Sequence, residues 1–192
     1  MNTATPSTTI HADRKLYITK ACKTDIDRIM VILGEARIQM GRMGIDQWQY
    51  GYPNRDIIKE DVIAGRSFAV RTEEKGEIYA TFCLKTDGEP TYREIFDGAW
   101  ITRGSYGALH RIAVCNAERG SGMADAMVAF ALEECRRLGL GALRSDTHAG
   151  NRPMQKLLFR TGFTRCGIIY LKTGEERVAF EKAVETEASV CL

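Results

Sequence analysis

The chain has 192 residues, 44% hydrophobic and 27% charged, enough for one domain with a sizeable core. Its 27 Lys and Arg nearly balance 25 Asp and Glu, and the net charge of +2 leaves no basic stripe for nucleic acid and no polybasic patch for a membrane. No apolar run approaches a membrane span, the N-terminus lacks the apolar core of a signal peptide, and Cys22, Cys83, Cys115, Cys135, Cys166 and Cys191 form no C-x-x-C pair. These features read as a cytoplasmic protein with reduced, small apolar cysteines.

Residues 1–14 are rich in Ser and Thr and lack periodicity, which predicts a mobile tail; 15–185 form the domain and 186–192 a second tail. Leu16–Ala21 alternates as a strand. Thr24 reads as a helix N-cap, with Ile26, Ile29, Met30 and Leu33 at helical spacing toward Met43. An aromatic connection holds Trp48, Tyr50 and Tyr52, and a second helix spans about Arg55–Ala64. Strands at Phe68–Thr72 and Ile78–Leu84 follow, joined by a turn at Gly76.

Residues 85–107 carry Pro90, Gly98, Gly104 and Gly107 and no legible pattern. Ala108–Val114 then reads as a strand running into a glycine turn. The next helix bears a predicted buried stripe of Ala124, Val128, Ala131, Cys135 and Leu138. A strand at Ala142–Asp146, a helix opened by Asn151, and strands near Ile168–Leu171 and Arg177–Phe180 complete an α/β order.

The turn after Val114 is the most informative segment. Helix-start amides lack intrahelical partners and sit at the positive end of the peptide dipoles, so Arg119–Ala124 forms an anion site. No lysine follows Gly122, which excludes a Walker loop. Asp125 stands where the dinucleotide fingerprint needs a third small residue. Arg119, Gly122 and Ala124 fill Arg/Gln-x-x-Gly-x-Gly/Ala, and Asn151-x-x-Met154-x-x-Leu157-Leu158 ends in Gly162-Phe163. Together, over about Leu109–Tyr170, these resemble the two signatures of the GNAT superfamily of N-acetyltransferases.

That resemblance implies a single-domain fold with a mixed central sheet flanked by helices and a cofactor wedge between two splayed parallel strands, here Ala108–Val114 and Ala142–Asp146. It implies acetyl-CoA as co-substrate. Main-chain groups at Ile112, Ala113 and Val114 would hold the pantetheine arm and the acetyl carbonyl. The diphosphate would lie on Arg119, Gly120, Ser121, Gly122, Met123 and Ala124, and Asn151 would bind the cofactor or fix the strand–helix junction. The implied reaction is direct attack of a primary amine on the thioester in a ternary complex. Since an alkylamine is mostly protonated at neutral pH, a base is needed, and His110, beside the expected acetyl group, is the candidate. The family's usual acid, a tyrosine seven residues after the helix-opening asparagine, is Leu158 here. This departure raises the alternative of a non-catalytic acyl-CoA-binding domain. Against it, a thiol of pKa about 8.5 leaves tolerably unaided. Tyr170 and Cys166 are stand-in acids whose plainer reading is strand core.

The acceptor side falls to the N-terminal half. Trp48, Tyr50 and Tyr52 alternate, so an extended stretch presents all three on one side. Glu35 and Asp46 could receive a cationic amine, and Trp100 and Tyr106 could extend the wall. The acceptor is thus a small-molecule or peptide amine. Asp146-x-His148 has no third ligand at metal spacing, so no metal is expected, and His148 is a second acid–base candidate or a loop residue bonded at the Asn151 cap. A homodimer is what the family resemblance implies; the residues themselves do not read out an assembly.

Overall fold

The computed structural model describes residues 7–11 and 14–185. Its elements run β1 (Ser7–His11), β2 (Arg14–Lys20), α1 (Ile26–Arg42), α2 (Arg55–Ile63), β3 (Ser67–Arg71), β4 (Ile78–Lys85) and β5 (Tyr106–Val114). Then come α3 (Met123–Arg137), β6 (Ala142–Thr147), α4 (Arg152–Arg160), β7 (Thr164–Tyr170) and β8 (Glu176–Ala183). The fold class is α/β with mixed strand pairing, as expected. Among the described residues no helix is long and apolar enough to cross a membrane. The chain divides into two compact units, Met1–Cys83 with Arg111–Phe130, and Leu84–His110 with Ala131–Leu192.

In the first unit β1, β2, β3 and β4 pair in sequence order, each antiparallel to the next. β1 corrects the expectation of a tail over 1–14: Ser7–His11 pairs with β2 from Ser7↔Ile18 to His11↔Arg14. Its run of Thr and Ile is β-branched, which suits a strand even where no periodicity marks a buried face. Residues 1–6, 12–13 and the second expected tail, 186–192, lie outside the described residues. The first helix is entered through a 3-10 turn at Lys23–Asp25 rather than a Thr24 cap; the Cys22 amide donates to Asp25 Oδ2 at 2.9 Å. Behind the strands, Ile26, Ile29, Ile32 and Leu33 of α1 and Ile58 of α2 pack with Ala69, Ile78, Ala113 and Cys115. Each such aliphatic contributes about 1.5–3 kcal/mol on leaving water. Phe68, Phe82 and Phe130 form a second apolar contact, the first two stacked with centroids 4.9 Å apart.

In the second unit the order is β5, β6, β8, β7. β5 and β6 are parallel, and β6–β8 and β8–β7 antiparallel. The parallel ladder covers only Tyr106↔Ala142, Gly107↔Leu143 and Ala108↔Arg144. Past it, the Leu109 carbonyl accepts from the Ser145 hydroxyl at 2.8 Å. The paired stretch of these two parallel strands thus ends at Ala108. Two positions depart from the predicted buried stripe: Ala124 is only partly buried, and Leu138, just past the end of α3 at Arg137, is exposed. Val128, Ala131 and Cys135 are buried as expected, joined on that helix by Met123, Ala126, Met127 and Phe130.

The illegible 85–107 segment is held by a buried carboxylate. Glu181 of β8 has no exposed surface and accepts from the Ile101 and Thr102 amides, the Thr102 hydroxyl and Arg144 Nε. Arg144 also lies over the rings of Trp100 and Tyr106, at 4.1 and 4.0 Å from their centroids. A guanidinium so enclosed is stabilised both by its carboxylate and by the faces of the rings.

Candidate functional site

The first unit carries the helix-start loop. β5 ends at Val114, the Cys115 amide donates to the Tyr79 carbonyl at 2.8 Å, and a 3-10 turn at Asn116–Glu118 leads into Arg119. Gly120 and Gly122 have φ of 78° and 84°, a left-handed backbone that glycine adopts without Cβ strain. The Ala126 amide is bonded to the Gly122 carbonyl at 3.1 Å, so the amides of Met123 and Ala124 precede the first turn's helical bonds. The Ser121 hydroxyl is buried with no hydrogen-bond partner. A helix start behind two left-handed glycines, an orphaned hydroxyl and a cationic Arg119 together suit an anionic ligand, and no side chain of the loop fills the Gly120 position.

His110 lies in the second unit, within a cluster of charged and aromatic groups. Its side chain is 15% exposed. Nε2 stands 3.2 Å from Glu89 Oε2, an ion-pair distance off the line of a hydrogen bond, and Nδ1 stands 3.7 Å from Asp146 Oδ1. Glu89 also pairs with Lys85 at 2.8 Å, and Tyr92 donates its phenol to Asp146 Oδ1 at 2.6 Å. Burial opposes charge on Glu89, but its contacts with His110 and Lys85 prevail and hold the carboxyl well below the usual range. Burial, reinforced by Asp146, pushes the Tyr92 phenol well above its own, so it stays a donor. The Glu89 amide and carbonyl both meet the Tyr106 hydroxyl, at 3.2 and 3.3 Å, which fixes the turn that presents the carboxylate.

Glu89 and Tyr92 escaped sequence reading because they sit in the segment without periodicity. Along the sequence Asp146 neighbours His148, but the His148 Nδ1 accepts the Gly150 amide at 2.9 Å. Among the described residues no group of His, Cys, Asp and Glu is arranged to hold a metal ion. Asn151 caps α4, accepting the Met154 amide at 3.2 Å.

The acceptor-side residues disperse. The Glu35 carboxylate accepts the Asn116 amide at 2.6 Å, tying α1 to the turn before the helix-start loop. Trp48 has φ of 70° and packs on the first unit's core, Tyr50 is 83% exposed, and Tyr52 turns its hydroxyl to Arg111. The three do not share one side, because positive φ at Trp48 and Gly51 breaks the extended run that alternation requires. Trp100 donates its indole N–H to the Tyr92 carbonyl at 3.0 Å and lies on Arg144.

Residues 39–163 match the acetyltransferase (GNAT) family. The chain belongs to that family. The match runs through both units. A GNAT-family acetyltransferase from Streptococcus agalactiae is 33% identical, covering 89% of this chain and 96% of its own, with a TM-score of 0.80. One from Listeria monocytogenes is 18% identical, covering 92% and 99%, with a TM-score of 0.70. The ribosomal-protein-S18-alanine N-acetyltransferase of Escherichia coli shares the fold at 16% identity, covering 89% and 95%, with a TM-score of 0.60. No curated protein matches the chain in sequence.

GNAT membership implies acyl transfer from acetyl-CoA. At the position of the family's usual acid, Leu158 is wholly buried. Of the two stand-ins, Cys166 is buried as strand core: burial raises its thiol pKa, and its hydrogen goes to the Thr164 carbonyl at 3.4 Å. Tyr170 departs from the strand-core reading: it is exposed and pairs edge-on with Phe96.

Proposed function

We propose that this GNAT protein is a cytoplasmic N-acetyltransferase that passes the acetyl group of acetyl-CoA to a primary amine, of a small molecule or a peptide, by direct attack in a ternary complex. The orphaned, buried Ser121 hydroxyl between two left-handed glycines at a helix start carries this reading. Such a group needs a hydrogen-bond partner, and a diphosphate is one that fits it. The Ser121 amide donates to the Glu118 carbonyl at 3.2 Å, so the amides of Gly120, Gly122, Met123 and Ala124 and the Arg119 guanidinium would take the rest of the diphosphate, and main-chain groups at Ile112, Ala113 and Val114 the pantetheine arm and carbonyl.

Acetyl-CoA supplies the activated thioester. His110 would remove the proton that the ammonium must lose before its nitrogen can attack. Glu89 and Asp146, at 3.2 and 3.7 Å, lie where they balance the charge that the imidazole gains. The departing thiolate, with a pKa near 8.5, leaves without a side-chain acid, which accommodates Leu158. That same leucine motivates the rival reading, an acyl-CoA-binding domain without turnover.

Calorimetric titration with acetyl-CoA tests the cofactor claim. Ser121→Ala should weaken binding about 10–100-fold, the worth of one charge-assisted hydrogen bond, with melting unchanged. Equal affinity in the variant would remove the loop from the site. Thiol release over a panel of primary amines tests the chemistry, and release no faster than thioester hydrolysis would favour the binding domain. His110→Ala should lose turnover most at low pH and converge on the parent as pH nears the amine pKa of about 10.4. A uniformly scaled profile would assign His110 a structural part.

A further inference from the structure

Arg111 combines three features that the proposed chemistry does not use. Its φ is 52°, a left-handed backbone inside a strand, where a residue bearing a Cβ is rarely found. Its side chain is only 8% exposed, in a unit where it pairs with an equally buried Asp61 of α2 and donates to the Tyr52 hydroxyl. Its Nε is buried without a hydrogen-bond partner, and the residue lines a small cavity together with Ser67, Thr81 and Cys83. Burial works against charge on this guanidinium, yet the groups around it, Cys83, Tyr52 and Asp61, more than compensate and raise its pKa.

Strained backbone persists only where its surroundings over-determine it. Here the surroundings are the residue's own side chain: a fork gripped at one end by a helix and at the other by the aromatic connection before it. In a regular strand the peptide groups of successive residues alternate in direction, and one left-handed residue resets that alternation for everything after it. Ile112 and Val114 come directly after it. We infer that Arg111 is a positioning residue whose guanidinium, clamped by Asp61 and Tyr52, holds the left-handed turn in β5 and so aims the main-chain groups of Ile112 and Val114. This rests on the proposed use of those groups to hold acetyl-CoA. Arg111 itself need not touch the ligand.

The decisive comparison is between two double variants, Arg111→Ala with Asp61→Asn and Arg111→Gly with Asp61→Asn. Both remove the clamp and leave no buried carboxylate without a cation. They differ by one methyl group. Glycine adopts a φ of this sign freely, whereas alanine is driven back toward ordinary strand geometry. Titrated with acetyl-CoA, the alanine pair should bind about tenfold more weakly than the parent and the glycine pair within about threefold of it. Hydrogen exchange at the amides of Ile112 to Cys115 should be faster in the alanine pair than in the glycine pair, with or without ligand. Equal behaviour of the two pairs in affinity and exchange would overturn the inference: if both matched the parent the clamp would be idle, and if both were equally weak the side chain itself would be needed. A parent protein that binds no acetyl-CoA would instead sink the proposed function, and the exchange comparison would still decide the role of Arg111.

Discussion

Replacing Glu181 by glutamine changes one buried oxygen for an NH2 group, and the hydrogen-bond inventory around it sets the consequence. Oε1 accepts from the Thr102 hydroxyl and, at 3.2 Å, from Arg144 Nε; Oε2 accepts from the Ile101 amide and, at 3.3 Å, from the Thr102 amide. If the glutamine NH2 took the Oε2 position, it would face two backbone donors. In the Oε1 position the Thr102 hydroxyl can rotate to accept, but Arg144 cannot. Either way Arg144, 6% exposed, loses its counter-charge. An uncompensated buried charge costs about 3–5 kcal/mol. For a chain of this length that lowers Tm by roughly 6–20 °C. Circular-dichroism melts of the parent and Glu181→Gln measure it directly. Pairing Glu181→Leu with Arg144→Met removes both charges and should recover much of the loss, because an apolar pair leaves nothing unpaired. A drop of less than about 2 °C in the single variant, or a double variant worse than it, would refute the reasoning that this ion pair staples residues 100–102.

Glu89 should make stability fall with acid. Its folded pKa lies below the unfolded value, so the fold favours the carboxylate; that contribution is complete above about pH 4.3 and is lost as pH drops from there toward the folded pKa. Melts across about pH 3 to 6 should show a shallower acid limb in Glu89→Gln than in the parent, and parallel limbs would contradict the assignment. Gly98→Ala should destabilise, since the new Cβ would lie 1.9 Å from the Cys166 carbonyl oxygen beside the Phe96–Ile168 bridge. Overpacking of this kind costs about 1–3 kcal/mol, or roughly 2–12 °C in Tm. An unchanged melt would mean that the 96–99 segment shifts freely.

The legible parts of this protein are those written in neighbouring residues. The spacing of apolar residues placed α1, α2 and α3 to within a few residues, the signature opened by Asn151 placed α4, and apolar runs bounded by turn residues placed β4 and β5. Asn151 announced its cap, and the glycines after Arg119 announced a left-handed loop before a helix. A helix start is a local object: its free amides and dipole need only the chain that forms it. The family signatures lie in such segments, which is why the family was legible in the sequence.

Elsewhere local pattern misled or fell silent. The alternation of Trp48, Tyr50 and Tyr52 implied one aromatic wall, yet backbone reversals sent the three rings to different places. Glu35 looked like an amine receptor, but its carboxylate is engaged by the Asn116 amide, far along the chain. Sequence alone determined an α/β chain of the acetyltransferase family with a glycine turn opening a helix. Tertiary structure decided that Glu89, Tyr92 and Asp146 converge on His110 and that Asp61 and Tyr52 clamp Arg111. Those encounters join residues tens of positions apart, and charge and desolvation act across space, where spacing along a chain carries no signal.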